Sequence, residues 1–239
     1  MRPFHLLNPA GREGLVLTCE HASCLVPVEY DDLGLEPEEL TEHIGWDIGA
    51  AEVTTALAAR FDAPAVLAGV SRLVIDCNRD LGDADLIAAE SHGVHVPGNP
   101  DLDEADRRRR IQDFYDPYHA AIDAALAMRP GARLVSVHSF TPRLRGRERR
   151  FDIGVLFDAH ADDARRVGEC LANQGLTVRY NEPYSAVDGL IFSARTHGCR
   201  HGVRYLELEI NNGLLRSANE TSRIAAAIER ALWRPLGVS

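Results

Sequence analysis

Lysine is absent from this chain, and all 26 of its basic residues are arginines. The absence excludes a lysine-dependent phosphate-binding loop and a lysine Schiff base, whether with pyridoxal phosphate or in an imine-forming aldolase. Positive charge is also in deficit, because 36 acidic residues give a formal net charge of −10. Binding to a nucleic-acid backbone requires a basic face, so we expect no nucleic-acid partner.

Cysteine pairs and long apolar segments are missing as well. The five cysteines are scattered, odd in number and without a CxxC spacing, which favours reduced thiols in a cytoplasmic protein. The N-terminus has no apolar signal-peptide core, and no apolar run approaches the ~20 residues of a membrane span. We therefore expect a cytoplasmic location and no membrane partner, and the oligomeric state stays open.

Short apolar runs alternate with longer amphipathic segments along the chain. The pattern predicts strands at 15–18, 64–68, 73–76, 133–137, 153–157, 177–180 and 203–210, and helices at 48–61, 103–128, 162–173 and 218–233. This alternation indicates an α/β protein with a mostly parallel central sheet and helices on both faces. The 239 residues show no repeat and no linker, so we expect one domain spanning 1–239.

Local signals refine several of these segments. Pro37 suits the first turn of a helix, and Ser217 with Glu220 predicts a capping box before the last helix. Asp116 before Pro117 predicts a new cap within the 103–128 segment. The HGCRH stretch at 197–201 is interpreted as a polar turn, and the arginine run 107–110 as a solvated helix face.

Polar residues follow several of the predicted strands directly. Ligands bind at the carboxyl ends of strands in open α/β sheets, so these residues should share one edge. Two histidines among carboxylates fit a catalytic metal site, since zinc in hydrolases takes three N/O ligands and leaves one position for water. The alternative for each histidine is a hydrogen-bonded structural residue, and the alternative for Glu207 and Glu209 is an exposed edge strand with a solvated face. The residues that follow strands are Glu20, His21, Asn78, Arg79, His138, Ser139 and Asn211, and the strand predicted at 203–210 itself carries Glu207 and Glu209.

Two pairs within this set leave open questions. Glu207 and Glu209 are two residues apart, so both face one side of a strand and spacing does not separate their roles. Asn78 beside Arg79 suits bidentate binding of a carboxylate, as does Arg72 before the predicted strand; the alternative is surface charge.

Six motifs resemble those of the N-formylglutamate amidohydrolase family, and they occur in family order between residues 18 and 211. They are TCEHAS (18–23), GWDIGA (45–50), SRLVIDCNR (71–79), SVHSF (136–140), YNEPYS (180–185) and LELEIN (206–211). The chain is similar to a compact branch with CEHAS as its opening motif. The resemblance implies a three-layer α/β/α, phosphorylase/hydrolase-like fold. It also implies zinc-dependent hydrolysis of the amide bond of an N-acyl acidic amino acid, such as N-formylglutamate, from which the namesake reaction removes the formyl group.

The same resemblance implies roles for individual residues. The metal ligands fall on His21, Asp47 and His138 for one zinc ion per chain, and the general base falls on Glu209. Zinc carboxypeptidases use a glutamate three residues after the first histidine, where this chain has Cys24, so Asp47 is taken as the acidic ligand and Glu20 as the alternative.

The substrate implied is a small molecule with a carboxylate, bound by Arg72, Asn78 and Arg79. Other readings are a carboxypeptidase-like or deacylase activity on another N-acyl substrate, and a non-catalytic carboxylate-binding relative. The complete set of ligands and base favours the enzyme over the binding protein.

Overall fold

The computed structural model describes residues 1–144, 146–184 and 191–236 of the chain. Its strands are β1 (Phe4–Leu7), β2 (Leu15–Cys19), β3 (Ala65–Ala68), β4 (Glu90–Ser91), β5 (Val94–His95), β6 (Arg133–Phe140), β7 (Arg143–Leu144), β8 (Arg147–Glu148), β9 (Ile153–Leu156), β10 (Val178–Tyr180) and β11 (Tyr205–Asn211). Its helices are α1 (Pro37–Leu40), α2 (Ala50–Phe61), α3 (Glu104–Arg110), α4 (Asp116–Ala127), α5 (Ala161–Ala172), α6 (Phe192–His201) and α7 (Ala218–Leu236).

One seven-stranded sheet carries the fold, in the order β1-β3-β2-β6-β11-β9-β10. The four central strands β3, β2, β6 and β11 run parallel, whereas β1 is antiparallel to β3 and β9 is antiparallel to β11. β4 pairs with β5, and β7 pairs with β8, in two small hairpins. The prediction of a mostly parallel sheet in an α/β protein is confirmed.

Alternation along each strand separates the interior into two cores. In β2, Leu15 and Leu17 belong to the core under α2, α5 and α7, whereas Val16 faces the core that includes residues of α4 and α6. Successive strand residues point to opposite faces, so one continuous apolar run supplies both cores. Helices therefore cover both faces of the sheet, giving the predicted three-layer arrangement.

The strand predicted at 73–76 is wrong. Leu73, Val74 and Ile75 are buried, but the N–H of Val74 bonds to the carbonyl of Ser71 at 3.0 Å within a turn. The N–H of Asp76 bonds to the carbonyl of Leu86 at 2.8 Å. A short buried apolar run has the same pattern in a strand and in a packed turn, so periodicity does not distinguish them.

The segment predicted as a helix over 103–128 is helical, and a wider, π-helical turn precedes Pro117. A π-helical turn, Ile111–Tyr115, joins α3 to α4, and the N–H of Asp116 bonds to the carbonyl of Ile111. Proline has no N–H for the helical ladder, and the π turn ends at Tyr115, two residues before Pro117. The Asp116 side chain makes no capping hydrogen bond, whereas Asp103 caps α3 through the N–H of Asp106.

Two further interpretations are corrected. The HGCRH stretch lies in helix α6, and not in a polar turn, with His197 fully buried. The solvated face predicted at 107–110 holds for Arg108 and Arg109, which are exposed and lie near Glu104 and Asp106. Arg110 is the exception, because it is buried and its guanidinium donates to the carbonyl of Val74 at 3.0 Å and to Asn99 at 2.8 Å. The Ser217 hydroxyl does accept from the N–H of Glu220, as the capping signal predicts. No helix in the described ranges combines the length and the apolar character needed to cross a bilayer.

Candidate active site

One face of the sheet changes from apolar to polar toward the carboxyl ends of its central strands. His138 on β6 lies beside Glu209 on β11, and Ser136 lies beside Glu207 in the same parallel register. All four are buried. The sequence placed His138 after the strand, but β6 runs on to Phe140, so the histidine projects from the strand itself. Strand pairing therefore holds an imidazole and two carboxylates in fixed neighbouring positions.

His21, Asp47 and His138 converge at this polar edge. Nδ1 of His138 lies 2.8 Å from Oδ2 of Asp47, and Nδ1 of His21 lies 3.4 Å from the same oxygen. One ligand atom from each residue falls within 4.8 Å of the other two. The N–H of Asp47 bonds to the carbonyl of His21 at 2.9 Å, and the N–H of Ser139 donates to Oδ2 at 3.2 Å.

In both His21 and His138, the second ring nitrogen, Nε2, lies within hydrogen-bond distance of a carboxylate. Nε2 of His21 lies 2.7 Å from Asp76, and Nε2 of His138 lies 3.0 Å from Glu20. A carboxylate on one ring nitrogen fixes the ring orientation and leaves the other nitrogen for a metal. Within the described residues, the buried Nδ1 of His21 has no hydrogen-bond partner. Two imidazole nitrogens and a carboxylate oxygen are a donor set that zinc accepts, so these residues fit a metal ion.

Glu20, the alternative acidic ligand, is committed elsewhere. Its carboxylate accepts hydrogen bonds from the hydroxyls of Tyr118 at 3.0 Å and Ser136 at 2.6 Å, besides its contact with His138. It therefore lies behind the His138 ring, on the side away from Asp47. The geometry favours Asp47 over Glu20 as the acidic member of the cluster.

Arg72 and His43 lie near Oδ1, the other carboxylate oxygen of Asp47. Arg72 donates to Oδ1 of Asp47, and Nδ1 of His43 lies 3.8 Å from that oxygen. Arg72 was expected to bind substrate; in the structure its guanidinium is engaged by Asp47. His43 was not among the sequence candidates, although its position four residues before Asp47 was the available signal.

Glu207 and Glu209 differ in their partners. Oε2 of Glu207 accepts from the side-chain amide of Asn78 at 3.3 Å and lies 3.6 Å from Nε2 of His138. Oε2 of Glu209 is buried and has no hydrogen-bond partner in the described part of the chain. A buried, unpartnered carboxylate oxygen is costly, which indicates a group held ready for a ligand. This contrast separates two residues that the spacing left equivalent.

Asn78 and Arg79 do not form a matched pair in the structure. The amide oxygen of Asn78 accepts from the N–H of Ser193 at 2.9 Å, and its amide nitrogen contacts Glu207, so both ends are engaged. Arg79 is half-buried, with Nε 3.8 Å from Asp76 and Nη1 3.3 Å from Asp83. A pocket opens among these residues; its lining residues are His21, His43, Asp47, Asp76, Asn78, Arg79, His138, Ser139, Tyr184, Glu207 and Glu209.

Burial and mutual repulsion govern the charges of this pocket. Burial raises the pKa of Glu209 to about 8 and that of Glu207 to about 7, against the opposing effect of His138. Burial and the charge of Arg72 lower the pKa of His21 to about 4. Burial opposes protonation of His138, but Glu207 and Glu20 raise its pKa to about 10. Carboxylates thus outnumber cations in a buried space, an arrangement that favours a bound cation.

Two histidines and several carboxylates thus meet in one pocket at the carboxyl edge of the sheet, where ligands bind in open α/β folds, and this pocket is the candidate active site. The N-formylglutamate amidohydrolase family model matches residues 13–216. The chain belongs to the N-formylglutamate amidohydrolase family, which confirms the resemblance seen in its motifs. The YNEPYS motif is described as far as Tyr184, and Ser185 lies outside the described residues.

Two solved structures are similar over almost the whole chain. A gene product from Agrobacterium tumefaciens has 34% sequence identity and a TM-score of 0.95, covering 99% of this chain and 96% of that one. An N-formylglutamate amidohydrolase from Ralstonia eutropha JMP134 has 23% identity and a TM-score of 0.76, covering 98% and 97%. Because its sequence identity is only 23%, the similarity to the Ralstonia eutropha structure shows a shared fold and nothing further. No curated protein matches significantly.

Proposed function

We propose that this chain is a zinc-dependent amidohydrolase that cleaves the N-acyl bond of N-formylglutamate or a closely related N-acyl acidic amino acid. The observation that carries the proposal is the convergence of His21, Asp47 and His138 next to the unpartnered carboxylate of Glu209. Family membership supports the reaction class.

His21, Asp47 and His138 would hold one zinc ion per chain, the histidines through Nδ1. When bound, zinc lowers the pKa of a water molecule and polarises the acyl carbonyl. Asp76 and Glu20 orient the two imidazoles from behind, and Arg72 fixes Asp47 through its second oxygen.

Glu209 would act as the general base. Its free oxygen takes a proton from the attacking water and delivers it to the nitrogen of the leaving amino acid. Glu207 is bonded to Asn78 and close to His138, so we assign it an orienting role. Arg79, in the pocket wall, would bind the substrate α-carboxylate through its planar fork. Asn78 would hold Glu207 in position, because its amide nitrogen donates to Glu207 while its amide oxygen accepts from the N–H of Ser193.

The test is a panel of N-formyl and N-acetyl derivatives of glutamate, glutamine and alanine, with formate or acetate release as the readout. We expect the highest kcat/KM for N-formylglutamate, loss of activity on chelation and recovery with zinc. Metal analysis should find about one zinc per chain in the wild type and none in the His21→Ala/His138→Ala variant. His5→Ala, at an exposed histidine in β1, is the matched control. Full activity in the chelated protein would refute metal dependence, and hydrolysis of N-acetyl substrates alone would refute the formyl assignment.

A further inference from the structure

A cation lies at the edge of the pocket without any role in the proposed chemistry. Arg149 follows strand β8 and is half-buried. Its guanidinium carbon lies 5.6 Å from the ring centroid of Phe140 and 5.3 Å from that of Tyr184. The N–H of Arg149 bonds to the carbonyl of Pro142 at 2.8 Å, which closes the base of the β7–β8 hairpin. The guanidinium therefore lies against two aromatic rings, next to a hairpin closed by its own backbone.

Arg149 differs from Arg72 and Arg79, the two arginines at the pocket, in having no carboxylate partner among the described residues. Arg72 is bonded to Asp47, and Arg79 is paired with Asp76 and Asp83. The hydrogen bond recorded for the Arg149 side chain is a long one, 3.4 Å from Nη1 to the carbonyl of Thr141. A half-buried guanidinium without an acid retains most of its capacity to bind an anion.

The position of Arg149 connects it to the pocket. Tyr184, which its guanidinium covers, is also a lining residue of the pocket. The positive charge of Arg149 makes a small contribution that lowers the pKa of Glu209 and of His43, two other lining residues of the pocket. Arg149 also lines a second groove, whose charged lining residues are four arginines (Arg147, Arg149, Arg150 and Arg179) and two glutamates (Glu148 and Glu182).

We propose that Arg149 binds the side-chain carboxylate of the substrate and is the residue that selects acidic over neutral N-acyl amino acids. The inference rests on the proposed function and extends it to the substrate side chain. A dicarboxylic substrate needs two cationic contacts. Arg79 supplies one, because it is half-buried and its contacts with Asp83 and Asp76 are long, at 3.3 and 3.8 Å. Arg72 is bonded closely to Asp47, so Arg149 supplies the other contact from its position against two aromatic rings.

The experiment compares N-formyl-L-glutamate with N-formyl-L-glutamine, which has the same shape without the charge. In Arg149→Gln, kcat/KM for N-formylglutamate should fall ~100-fold, mainly through KM, as for loss of a charged hydrogen-bonded pair. The value for N-formylglutamine should change less than about threefold, because a neutral amide makes no ion pair. Arg149→Lys should retain part of the preference. Arg147→Gln, at an exposed arginine of the same hairpin, is the control and should leave both substrates unchanged.

A binding measurement separates this inference from the proposed function. Calorimetric titration of the zinc-loaded protein with L-glutamate and L-glutamine should show a preference for glutamate that Arg149→Gln removes. If the wild type binds glutamate in this way but hydrolyses no N-formyl substrate, the proposed function fails and the inference stands. Equal losses for both substrates in Arg149→Gln would mean that the arginine only supports the hairpin, which overturns the inference and leaves the function intact. Absence of both hydrolysis and glutamate preference overturns both.

Discussion

Asp76 and Glu20 determine which nitrogen each pocket histidine can present. Each carboxylate lies within 3.0 Å of an Nε2 atom, so Nδ1 of His21 and of His138 faces Asp47. The neutral imidazole has one donor and one acceptor nitrogen, and a carboxylate on one side leaves the lone pair on the other. The orienting carboxylates therefore matter to the site as much as the residues they orient.

Replacing Glu209 should separate chemistry from binding. Glu209→Gln keeps the shape of the side chain but removes its basicity, so kcat should fall about 10²–10⁴-fold with zinc content and KM little changed. Glu207→Gln should have a milder effect, because Glu207 acts through its contacts with Asn78 and His138. Steady-state kinetics and metal analysis of both variants measure this. If kcat falls further in Glu207→Gln than in Glu209→Gln at unchanged zinc content, Glu207 is the general base and Glu209 has the orienting role.

Replacing Arg79 should weaken substrate binding and spare the metal. Arg79→Lys keeps the charge but loses the bidentate fork, so KM for N-formylglutamate should rise about tenfold. Arg72→Lys is the informative comparison: Arg72 is bonded to Asp47, so its loss should lower zinc content instead. An unchanged KM in Arg79→Lys for every acidic substrate would remove Arg79 from the substrate site.

At the scale of elements, helices α4 and α6 are joined by a row of histidines away from the pocket. Nδ1 of His119 lies 2.7 Å from Nε2 of His197, whose Nδ1 lies 2.7 Å from Asp123. His201 lies 2.9 Å from the same carboxylate, and Arg200 also bonds to it. These contacts tie α6 to α4, and they explain why His197 of the HGCRH stretch is buried at the contact between the two helices.

This helix pair should make stability depend on pH. Burial, reinforced by His197 and Arg200 and opposed by Glu20 and Asp123, lowers the pKa of His119 to about 3. The unfolded chain binds the proton near pH 6.5, so the stabilisation is complete above that pH and is lost as the pH falls toward 3.

Urea unfolding at pH 7.5 and 5.5, with a chelator present, measures the effect. The wild type should lose about 1 kcal/mol more than His119→Asn, whose amide can still donate to His197 but does not titrate. Equal losses in the two proteins would mean that His119 titrates normally in the fold.

At the scale of the whole molecule, metal binding should be coupled to folding stability. The proposed ligands come from the end of β2, the turn before α2, and β6, so the site exists only when these parts are assembled. Zinc at 100 times its Kd would add ~2.7 kcal/mol, equivalent to a rise in Tm of about 5–10 °C for a chain of this size. Thermal unfolding should show this rise in the wild type and in His5→Ala. The same rise in His21→Ala/His138→Ala would place the zinc elsewhere.

The sequence by itself determined the α/β architecture, the family, and the polar residues that gather at the sheet edge. Apolar periodicity reports which residues are buried, and polar residues after apolar runs report where strands end. Both patterns depend only on residues that are close in the sequence, so they can be recognised without knowledge of the fold. The local pattern was wrong at 73–76 because buried turns and buried strands share it.

Only the tertiary structure decided which partner each polar side chain has. Asn78 reaches Glu207 across 129 residues of sequence, and Arg72 reaches Asp47 across 25, so their engagement could not be read from neighbouring residues. The same holds for the free oxygen of Glu209. A hydrogen bond depends on distances of about 3 Å, and those distances are set by how separate strands and loops pack rather than by spacing along the chain.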